Sequence, residues 1–282
     1  MGITIDKIKS FSVFSLKEIA SLLKEMYVHP TGKINNLIHS RFLVEKLYGL
    51  KAKVKKAPNG FIVEDFEGIS SFIRKNSSDG YVFKQIFLDQ EYAPLVKLLK
   101  KNNIKVNTII DCGANVGYTT TYLKNAFPAA KIYCVEPDVE NLACAAKNTE
   151  LNALHATTLI NKGIWGKNAF LKITKDFRDG ESWSLALVEV ALEKDADVYA
   201  ITIAQLMKEY QITEIDVLKI DIEGAERYLF EDEADASFFL SKTKCIAIEI
   251  HDEFNSREMI MITLVKHGFT LQQSGELILA CK

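Results

Sequence analysis

The amino-acid sequence predicts an α/β protein with a doubly wound, mostly parallel sheet and an N-terminal, mainly helical addition. From Val106 onward, short apolar runs alternate with amphipathic helical patterns, which is typical of strands joined by crossover helices. A glycine-rich loop follows the first of these runs, as in sheets that bind ligands beyond the carboxyl ends of their strands. Residues 1–80 lack this alternation, so they are treated as a separate region.

The first part of this N-terminal region is predicted to form two helices. Ser15 and Glu18 have the spacing of a capping box, which opens a helix that the segment His29–Gly32 breaks. An apolar period close to that of an α-helix predicts a second helix over residues 36–50.

An Asn59-Gly60 pair between two short β-prone runs predicts a hairpin in the same region. Asparagine and glycine adopt the left-handed backbone that two-residue hairpin turns require. The strands of this region are expected over residues 53–56, 61–63 and 69–74.

The alternating pattern predicts the elements of the main sheet in chain order. Strands are expected over residues 106–111, 131–135, 157–161, 216–221, 245–251, 269–273 and 277–281. Helices are expected before and between them, over residues 92–101, 118–127, 139–151, 203–210, 224–230 and 257–267. Residues 168–203 interrupt the alternation, with strands expected over 170–174 and 185–190. The last two strands are expected to close the sheet as an antiparallel hairpin.

Charge is divided unevenly along the chain, although the formal net charge of the whole chain is −2. Residues 1–60 contain 11 Lys and Arg against 4 Asp and Glu, and residues 61–282 contain 24 against 33. A net charge near zero gives no general attraction to nucleic acid or to an anionic membrane. We expect the basic run Lys51–Lys56 to be a solvated face, with contact to an acidic acceptor as the alternative. Residues 1–80 are expected to cap the functional site or to form a homodimer.

The five cysteines are odd in number and widely spaced, and they form no C-x-x-C motif. This pattern predicts neither a disulfide framework nor a zinc site. The N-terminus lacks the apolar core of a secretory signal, and no stretch reaches 18 apolar residues. We therefore expect a soluble, cytoplasmic protein without a membrane span, in a reducing compartment.

A glycine-rich loop connects the strand that ends at Asp111 to the following helix, and Glu136 comes directly after the next strand. Glycines let a ligand approach the backbone closely, and a carboxylate displaced by one strand accepts hydrogen bonds from both hydroxyls of a ribose. This layout predicts recognition of an adenosine. The alternative is a glycine turn that only packs a helix on a strand.

Two cofactors use this layout, and the loop Asp111-Cys-Gly113-Ala-Asn115-Val-Gly117 favours S-adenosylmethionine (SAM) over NAD. In the dinucleotide pattern G-x-G-x-x-G, the second glycine makes room for a pyrophosphate. Here that position is Asn115, whose side chain would crowd a pyrophosphate, and Asp111 would repel it. Both side chains can instead serve the amino acid end of SAM, where Asp111 can pair with the ammonium group.

A second acidic motif, Lys219-Ile-Asp221-Ile-Glu223-Gly-Ala-Glu226, ends a later strand, and the strand after it is followed by His251. If these strands are neighbours, Asp221 and His251 meet at the same edge of the sheet as the glycine loop. His251 is the candidate general base by residue type, whereas Asp221 can be the base, orient His251 or hold the substrate.

Glu223 is the third catalytic candidate, and a structural role at a strand end or helix start is the alternative for each of these three residues. Asp221, Glu223 and His251 could also bind a divalent ion. Neither the number nor the geometry of the ligands is readable from the sequence, so metal dependence stays open.

The motifs IIDCGANVGYTT, YCVEPD, IDVLKIDIEGAE and IAIEIH, in this order, resemble the FkbM family of SAM-dependent methyltransferases. The resemblance covers about residues 80 to 275, and it implies the class I methyltransferase fold, a Rossmann-like sheet of seven strands with the last strand antiparallel. It also implies methyl transfer, usually to an oxygen of a sugar, a glycan or a secondary metabolite. The cofactor-binding residues predicted here are Asp111, Gly113, Ala114, Asn115, Gly117, Glu136, Pro137, Asn161, Lys162 and Gly163.

The resemblance divides the chain into an N-terminal region, residues 1–80, and a methyltransferase domain, residues 81–282. The expected reaction is in-line methyl transfer from SAM to a hydroxyl of a small-molecule or glycan acceptor, with an acidic residue or a histidine as general base. An NAD-linked oxidoreductase and a non-catalytic SAM-binding protein are the alternatives. The charged segment of residues 175–200 is longer than usual for the family, so the acceptor itself is not predicted.

Overall fold

The structure of the protein is a computed structural model, which describes residues 4–28, 35–174 and 186–282. Within these residues it confirms the α/β class and the doubly wound, seven-stranded and mostly parallel sheet. The expected helix break at His29–Gly32 lies outside the described residues. In the described part of the chain, every helix is too short or too polar to cross a membrane.

The N-terminal region contains three helices and an antiparallel sheet. The helices are α1 (Ile5–Lys9), α2 (Leu16–Leu23), which a π-helical turn extends over Lys24–Val28, and α3 (Asn36–Gly49). The strands are β1 (Lys53–Ala57), β2 (Gly60–Phe66) and β3 (Ile69–Arg74), in that order across the sheet. The predicted capping box is present, because the Ser15 hydroxyl accepts from the Glu18 amide and the Glu18 carboxylate accepts from the Ser15 amide.

The hairpin between β1 and β2 closes with Ala57 opposite Gly60. The two turn residues are therefore Pro58 and Asn59, one position before the predicted Asn59-Gly60 pair. Asn59 has a φ of +56°, a conformation that asparagine tolerates better than most residues.

The central sheet and its helices follow a connecting segment. This segment consists of α4 (Asp79–Phe83), a π-helical stretch over Lys84–Leu88 and α5 (Ala93–Lys101). The first half of the sheet region contains β4 (Thr108–Cys112), α6 (Tyr118–Ala126), β5 (Lys131–Val135), α7 (Val139–Leu151) and β6 (Thr157–Ile160).

A second, four-stranded sheet lies in the crossover that follows. Its strands are β7 (Gly163–Ile164), β8 (Ala169–Thr174), β9 (Ala186–Val190) and β10 (Val198–Ile201), in the order β7-β10-β8-β9. The predicted strands in this segment correspond to β8 and β9, whereas β7 and β10 were not predicted. The two missed strands are too short to show the alternation of apolar and polar residues that predicts a strand.

The remaining elements complete the central sheet. They are α8 (Ile203–Glu209), β11 (Ile215–Ile220), α9 (Glu233–Ser241), β12 (Thr243–Glu249), α10 (Arg257–Lys266), β13 (Thr270–Ser274) and β14 (Leu277–Cys281). The predicted helix over residues 224–230 is a 3₁₀ helix over Glu226–Phe230.

The strand order of the central sheet is β13-β14-β12-β11-β4-β5-β6. β14 is antiparallel to both of its neighbours, as predicted for the last strand, and it lies between β13 and β12. The chain leaves β4 toward β5 on one side and returns to β11 on the other, so strand order reverses between β4 and β11. Ligands bind at such a reversal in open α/β sheets.

The two faces of the central sheet are covered by different parts of the chain. Apolar side chains of the N-terminal region, such as Phe14, Leu47 and Ile73, share one buried cluster with Ile109 of β4 and Leu279 of β14. The opposite face is covered by side chains of α8, α9 and α10. The N-terminal helices thus bury apolar residues against this chain itself. The domain boundary at residue 80 and the dimerisation role stay predictions.

Edge strand β3 is joined to α7 by side-chain amides. The Asn152 amide accepts from Ser70 N at 2.8 Å and donates to Ser70 O at 2.6 Å, while Asn148 Oδ1 accepts from Phe72 N at 2.7 Å. The Tyr118 hydroxyl of α6 donates to Phe72 O at 2.7 Å. These bonds satisfy backbone groups that a further strand would otherwise pair with.

The expectation of no disulfide is wrong in the structure, which joins Cys245 and Cys281. The two residues lie directly opposite each other in β12 and β14, with Cα atoms 4.2 Å apart. Their wide separation along the sequence concealed this pairing, because it depends on β14 lying beside β12. Cys112, Cys134 and Cys144 are free and buried.

Candidate functional site

The glycine-rich loop after β4 needs glycine at two positions. Gly113 has a φ of +74°, and a Cβ there would lie 1.8 Å from the carbonyl oxygen of Asp221. Gly117 has a φ of +79°, and a Cβ there would lie 2.9 Å from Cβ of Ala145 in α7. The loop therefore passes directly against the end of β11 and lets α6 start close to α7.

Glu136 comes directly after β5, as predicted, and it holds the glycine loop. The side chain accepts from Asn115 N at 2.8 Å and from Asp138 N at 3.0 Å. Burial raises the pKa of Glu136 to about 7, although these two backbone hydrogen bonds oppose that rise. A carboxylate has roughly four acceptor positions, so it can accept further hydrogen bonds from a ligand.

A narrow cleft, here called the loop cleft, runs along the loop to the end of β11. Of the predicted cofactor residues, Gly113, Asn115, Glu136, Pro137 and Lys162 line it. Its apolar walls come from Val135, Ile164, Leu187 and Ile222. Asp221 and Glu223 lie at its other end.

Two further predicted cofactor residues, Asn161 and Gly163, support the cleft from behind. Asn161 donates through its side-chain nitrogen to Pro137 O at 2.8 Å and to Glu136 O at 3.1 Å. Gly163 belongs to β7 and pairs with Ala200 of β10. Lys162, which lines the cleft, is also held by an ion pair with Glu209 at 2.7 Å.

Asp111 lies behind the loop rather than in the cleft. It is 0% exposed, accepts from the Thr120 hydroxyl at 2.6 Å, and lies 3.2 Å from Lys219 Nζ. Asp111 is thus enclosed by Thr120 and Lys219, and its predicted contact with the ammonium group of a cofactor stays a prediction.

Lys219 connects the loop to the acidic motif, and sequence reasoning missed it. Its ammonium donates to Gly113 O at 2.6 Å and to Cys112 O at 3.3 Å, and lies 3.6 Å from Asp221. Burial lowers the pKa of Lys219, but the charges of Asp111 and Asp221 outweigh burial and raise it above its ordinary value. The signal in the sequence was a lysine inside an otherwise apolar strand.

A cavity of about 450 Å³, here called the acidic cavity, opens on the other side of the loop. It shares Gly113, Asn115, Asp221 and Glu223 with the loop cleft. Its remaining lining includes Ala114, Tyr81, Lys84, Glu91, Tyr92, Glu249 and Glu276. The two spaces therefore meet at the end of β11.

Two carboxyl groups of the acidic cavity have strongly shifted pKa values. Burial raises the pKa of Glu91 to about 7. Burial also raises the pKa of Glu249 to about 9, and the charge of Asp221 adds to this rise. Sequence reasoning missed Glu91 and Glu276, because they come from a connecting segment and a hairpin turn outside the recognised motifs.

His251 lies at the same edge of the sheet as Asp221, as predicted, but it is enclosed by carboxylates. It is 2% exposed, with Nδ1 2.9 Å from Glu226 and Nε2 3.4 Å from Glu223. Burial lowers the pKa of His251, yet the bonds to Glu223 and Glu226 outweigh it and raise the pKa to about 11. The predicted role of His251 as general base stays a prediction, and it requires an imidazole that has released one of its two protons.

The turn after β11 is built around Glu226. Its Oε1 accepts from Ile222 N at 3.1 Å and from Gly224 N at 3.2 Å in addition to its contact with His251. Glu223 and Gly224 both have positive φ, +53° and +86°. The turn thus places the Glu223 side chain where the loop cleft and the acidic cavity meet.

A third cavity, of about 760 Å³, borders Glu223 on the side of the second sheet. Aromatic side chains form part of its lining: the ring centroids of Trp165 and Tyr228 lie 4.2 Å apart, and Cζ of Arg227 lies 3.8 Å from the centre of the Phe254 ring. Leu187 and Glu223 line both this cavity and the loop cleft.

Comparison with protein families agrees with this geometry. The profile of the methyltransferase FkbM domain matches residues 111–271, which contain the loop, the acidic motif and His251. A methyltransferase, sdnD, of Sordaria araneosa is 24% identical over 220 residues, covering 68% of this chain and 82% of that protein. Methyltransferase 1 of Beauveria bassiana (strain ARSEF 2860) is 27% identical over 167 residues, covering 52% and 64%.

Two solved structures serve as examples of those that are similar to this chain. The methyltransferase FkbM from Methylobacillus flagellatus KT has a TM-score of 0.42 and 16% identity, covering 63% of this chain and 44% of that one. The N-terminal domain of human METTL16 has a TM-score of 0.46 and 13% identity, covering 86% and 79%.

Proposed function

The chain belongs to the FkbM methyltransferase family, and we propose that it transfers a methyl group from SAM to a hydroxyl oxygen of a small-molecule or glycan acceptor. Methyltransferase activity follows from family membership and from the two curated relatives. The cofactor and the oxygen acceptor are the proposed parts. The observation that carries them is the meeting of the loop cleft and the acidic cavity at Asp221.

The residues of the loop cleft fit SAM better than a dinucleotide. The backbone N–H of Asn115, in the loop before α6, already donates to Glu136, so it is not free to bind a phosphate. A pyrophosphate in the cleft would also face the carboxylates of Glu136, Asp221 and Glu223. The sulfonium and the ammonium of SAM carry positive charge instead, which these carboxylates attract.

We assign the ribose hydroxyls to Glu136 and the adenine to the side of the cleft formed by Pro137, Lys162 and Ile164. The methionine end then extends toward Asp221 and Glu223. Bound SAM supplies an electrophilic methyl group on a positively charged sulfur. Lys219, by holding the carbonyl of Gly113, fixes the loop against which that end lies.

The acceptor enters through the acidic cavity, with its hydroxyl at Asp221. The Asp221 side chain is 30% exposed and that of Glu223 is 20% exposed, so both can reach a substrate. Asp221 would take the proton of the acceptor hydroxyl as that oxygen receives the methyl group, which bound SAM would supply. Glu223 positions the acceptor, and Glu226 holds the turn that carries Glu223.

Calorimetry with SAM and, separately, with NADH tests the cofactor. We expect SAM to bind in the micromolar range and NADH to give no heat, and the reverse result overturns the proposal. Asp221→Asn should keep SAM affinity and lose at least about 100-fold in methyl transfer, the usual contribution of general-base catalysis. The acceptor is found by incubating cell extract with methyl-labelled SAM, and an N-methyl or C-methyl product contradicts the oxygen assignment.

A further inference from the structure

The carboxyl ends of β11 and β12 bring together three side chains with the chemistry of metal ligands. Asp221 follows β11, Glu249 ends β12, and His251 comes shortly after it. One ligand atom of each side chain lies within 4.8 Å of the other two. Donor atoms that share one ion at about 2.1 Å lie roughly 3 to 4 Å apart, so only small movements are needed.

The imidazole of His251 is oriented toward this group by a buried carboxylate. Its Nδ1 lies 2.9 Å from Oε1 of Glu226, and both side chains are 1% exposed. Its Nε2 lies 3.4 Å from Oε2 of Glu223 and 3.7 Å from Oε1 of Glu249, so this nitrogen is directed at these two carboxylates. Metal-bound histidines almost always donate their other ring nitrogen to a carboxylate or carbonyl in this way.

From this arrangement we propose that Asp221, Glu249 and His251 bind a divalent first-row transition metal ion, with Mn²⁺ as the probe. An imidazole among the ligands favours such an ion over Mg²⁺, which prefers oxygen ligands and retains its water. Asp221 and Glu249 line the acidic cavity, which provides a path for the ion and space for further ligands.

A second cluster of side chains, made of three glutamates, lies close by and serves as an internal comparison. Glu91, Glu249 and Glu276 also have oxygen atoms within 4.8 Å of one another. That group consists of carboxylates alone, and Glu276 is exposed. A buried imidazole directed at the ion distinguishes the proposed site from this group, so His251 is the residue to test.

The role of the ion rests on the function proposed above. An ion at Asp221 borders the loop cleft and lies where the acceptor hydroxyl is expected. Coordination of that oxygen would lower the pKa of the hydroxyl and orient it. The oxygen atom of Asp221 that does not contact the ion stays available to the acceptor.

The test is a titration of metal-free protein with MnCl₂, without SAM or acceptor, followed by calorimetry and by the electron paramagnetic resonance signal of free Mn²⁺. We expect one Mn²⁺ per chain in the wild type. Glu249→Gln and His251→Gln should bind at least about 10-fold more weakly, and Glu226→Gln, which removes only the support of the imidazole, about 10- to 100-fold more weakly. The control Glu276→Gln should keep the wild-type affinity.

Absence of Mn²⁺ binding to the wild type overturns the proposal. The proposal is also overturned if Glu276→Gln weakens Mn²⁺ binding and His251→Gln does not, because the ion would then lie among the carboxylates alone. Circular dichroism checks that each variant folds, and the wild-type titration decides the matter if a variant does not. A parallel SAM titration separates the proposals: SAM binding without Mn²⁺ binding overturns only the metal site, and the reverse overturns only the cofactor assignment.

Discussion

The N-terminal sheet and the edge of the central sheet bury polar groups in different ways. The middle of β3 docks on α7 through the uncharged amides of Asn148 and Asn152, whereas the charged Arg74 at the end of β3 donates to Asn141 of α7. The edge of the central sheet buries charges instead, with Lys219 beside Asp111 and His251 between carboxylates. A neutral hydrogen bond contributes about 0.5–1.5 kcal/mol, whereas removing one partner of a buried ion pair costs about 3–5 kcal/mol.

This difference determines where the molecule tolerates amino-acid substitutions. Docking through neutral groups is insensitive to pH and can lose one bond at moderate cost. The charged edge depends on every partner being present, because each remaining charge would be buried without compensation. Substitutions at that edge should therefore have the larger effects.

The largest expected effect on stability comes from Lys219→Met, which leaves the fully buried Asp111 without its cation. We expect the free energy of unfolding to fall by about 3–5 kcal/mol, measured by urea denaturation. The double variant Lys219→Met/Asp111→Asn should recover part of that loss, because it removes the unpaired charge. A single variant within about 1 kcal/mol of the wild type would contradict the importance of the buried pair.

A smaller effect on stability is expected where β3 docks on α7 through uncharged side chains. Asn148→Ala removes the acceptor of Phe72 N and the donor of Val116 O, and should lower the free energy of unfolding by about 1–3 kcal/mol. Hydrogen exchange should report faster opening at the Phe72 amide. The matched control is Thr149→Ala on the same helix, whose hydroxyl donates to Ala145 O within α7. An equal loss in both variants would show that docking on β3 is not the cause.

The smallest effect concerns the pH dependence of the N-terminal region. His39 stacks on Tyr81 with ring centroids 3.4 Å apart, and burial, with the nearby charge of Lys84, lowers its pKa to about 4. In the unfolded chain the pKa is about 6.5. Folding thus favours neutral His39, so its stabilising contribution is complete above pH about 6.5 and is lost as pH falls through about 4.

Melting temperatures of the wild type and His39→Gln, measured from pH 7 to pH 4, test whether this stabilising contribution is lost as the pH falls. The melting temperature of the wild type should fall further than that of the variant over that pH range. Parallel curves would show that His39 does not contribute to the acid sensitivity.

Sequence reasoning located strands well and cross-strand neighbours poorly. β5 was predicted over residues 131–135 and is found there, and β11 lies one residue from its predicted bounds. The positions of Gly113, Glu136 and Asp221 at strand ends followed from these strands. Apolar runs and turn residues are local signals, which a single sequence contains in full.

Two of the errors, the missed role of Lys219 and the missed disulfide, share one physical cause, which is pairing between distant strands. Lys219 lies opposite Asp111 in the ladder of β11 and β4, and Cys245 lies opposite Cys281 in the ladder of β12 and β14. Side chains at opposed positions point to the same face of a sheet and meet. A single sequence does not contain strand order and register, so neither neighbour was predicted.

The two edges of the N-terminal sheet affect whether copies of the protein aggregate through strand pairing. The outer edge of β3 is occupied by the amides of Asn148 and Asn152, so another strand finds few free backbone groups there. The other edge strand, β1, presents Lys53, Lys55 and Lys56, all exposed. Like charges on an edge strand repel a second copy and hinder edge-to-edge aggregation. The positive excess of the N-terminal region can thus protect the protein at high concentration without any acidic partner.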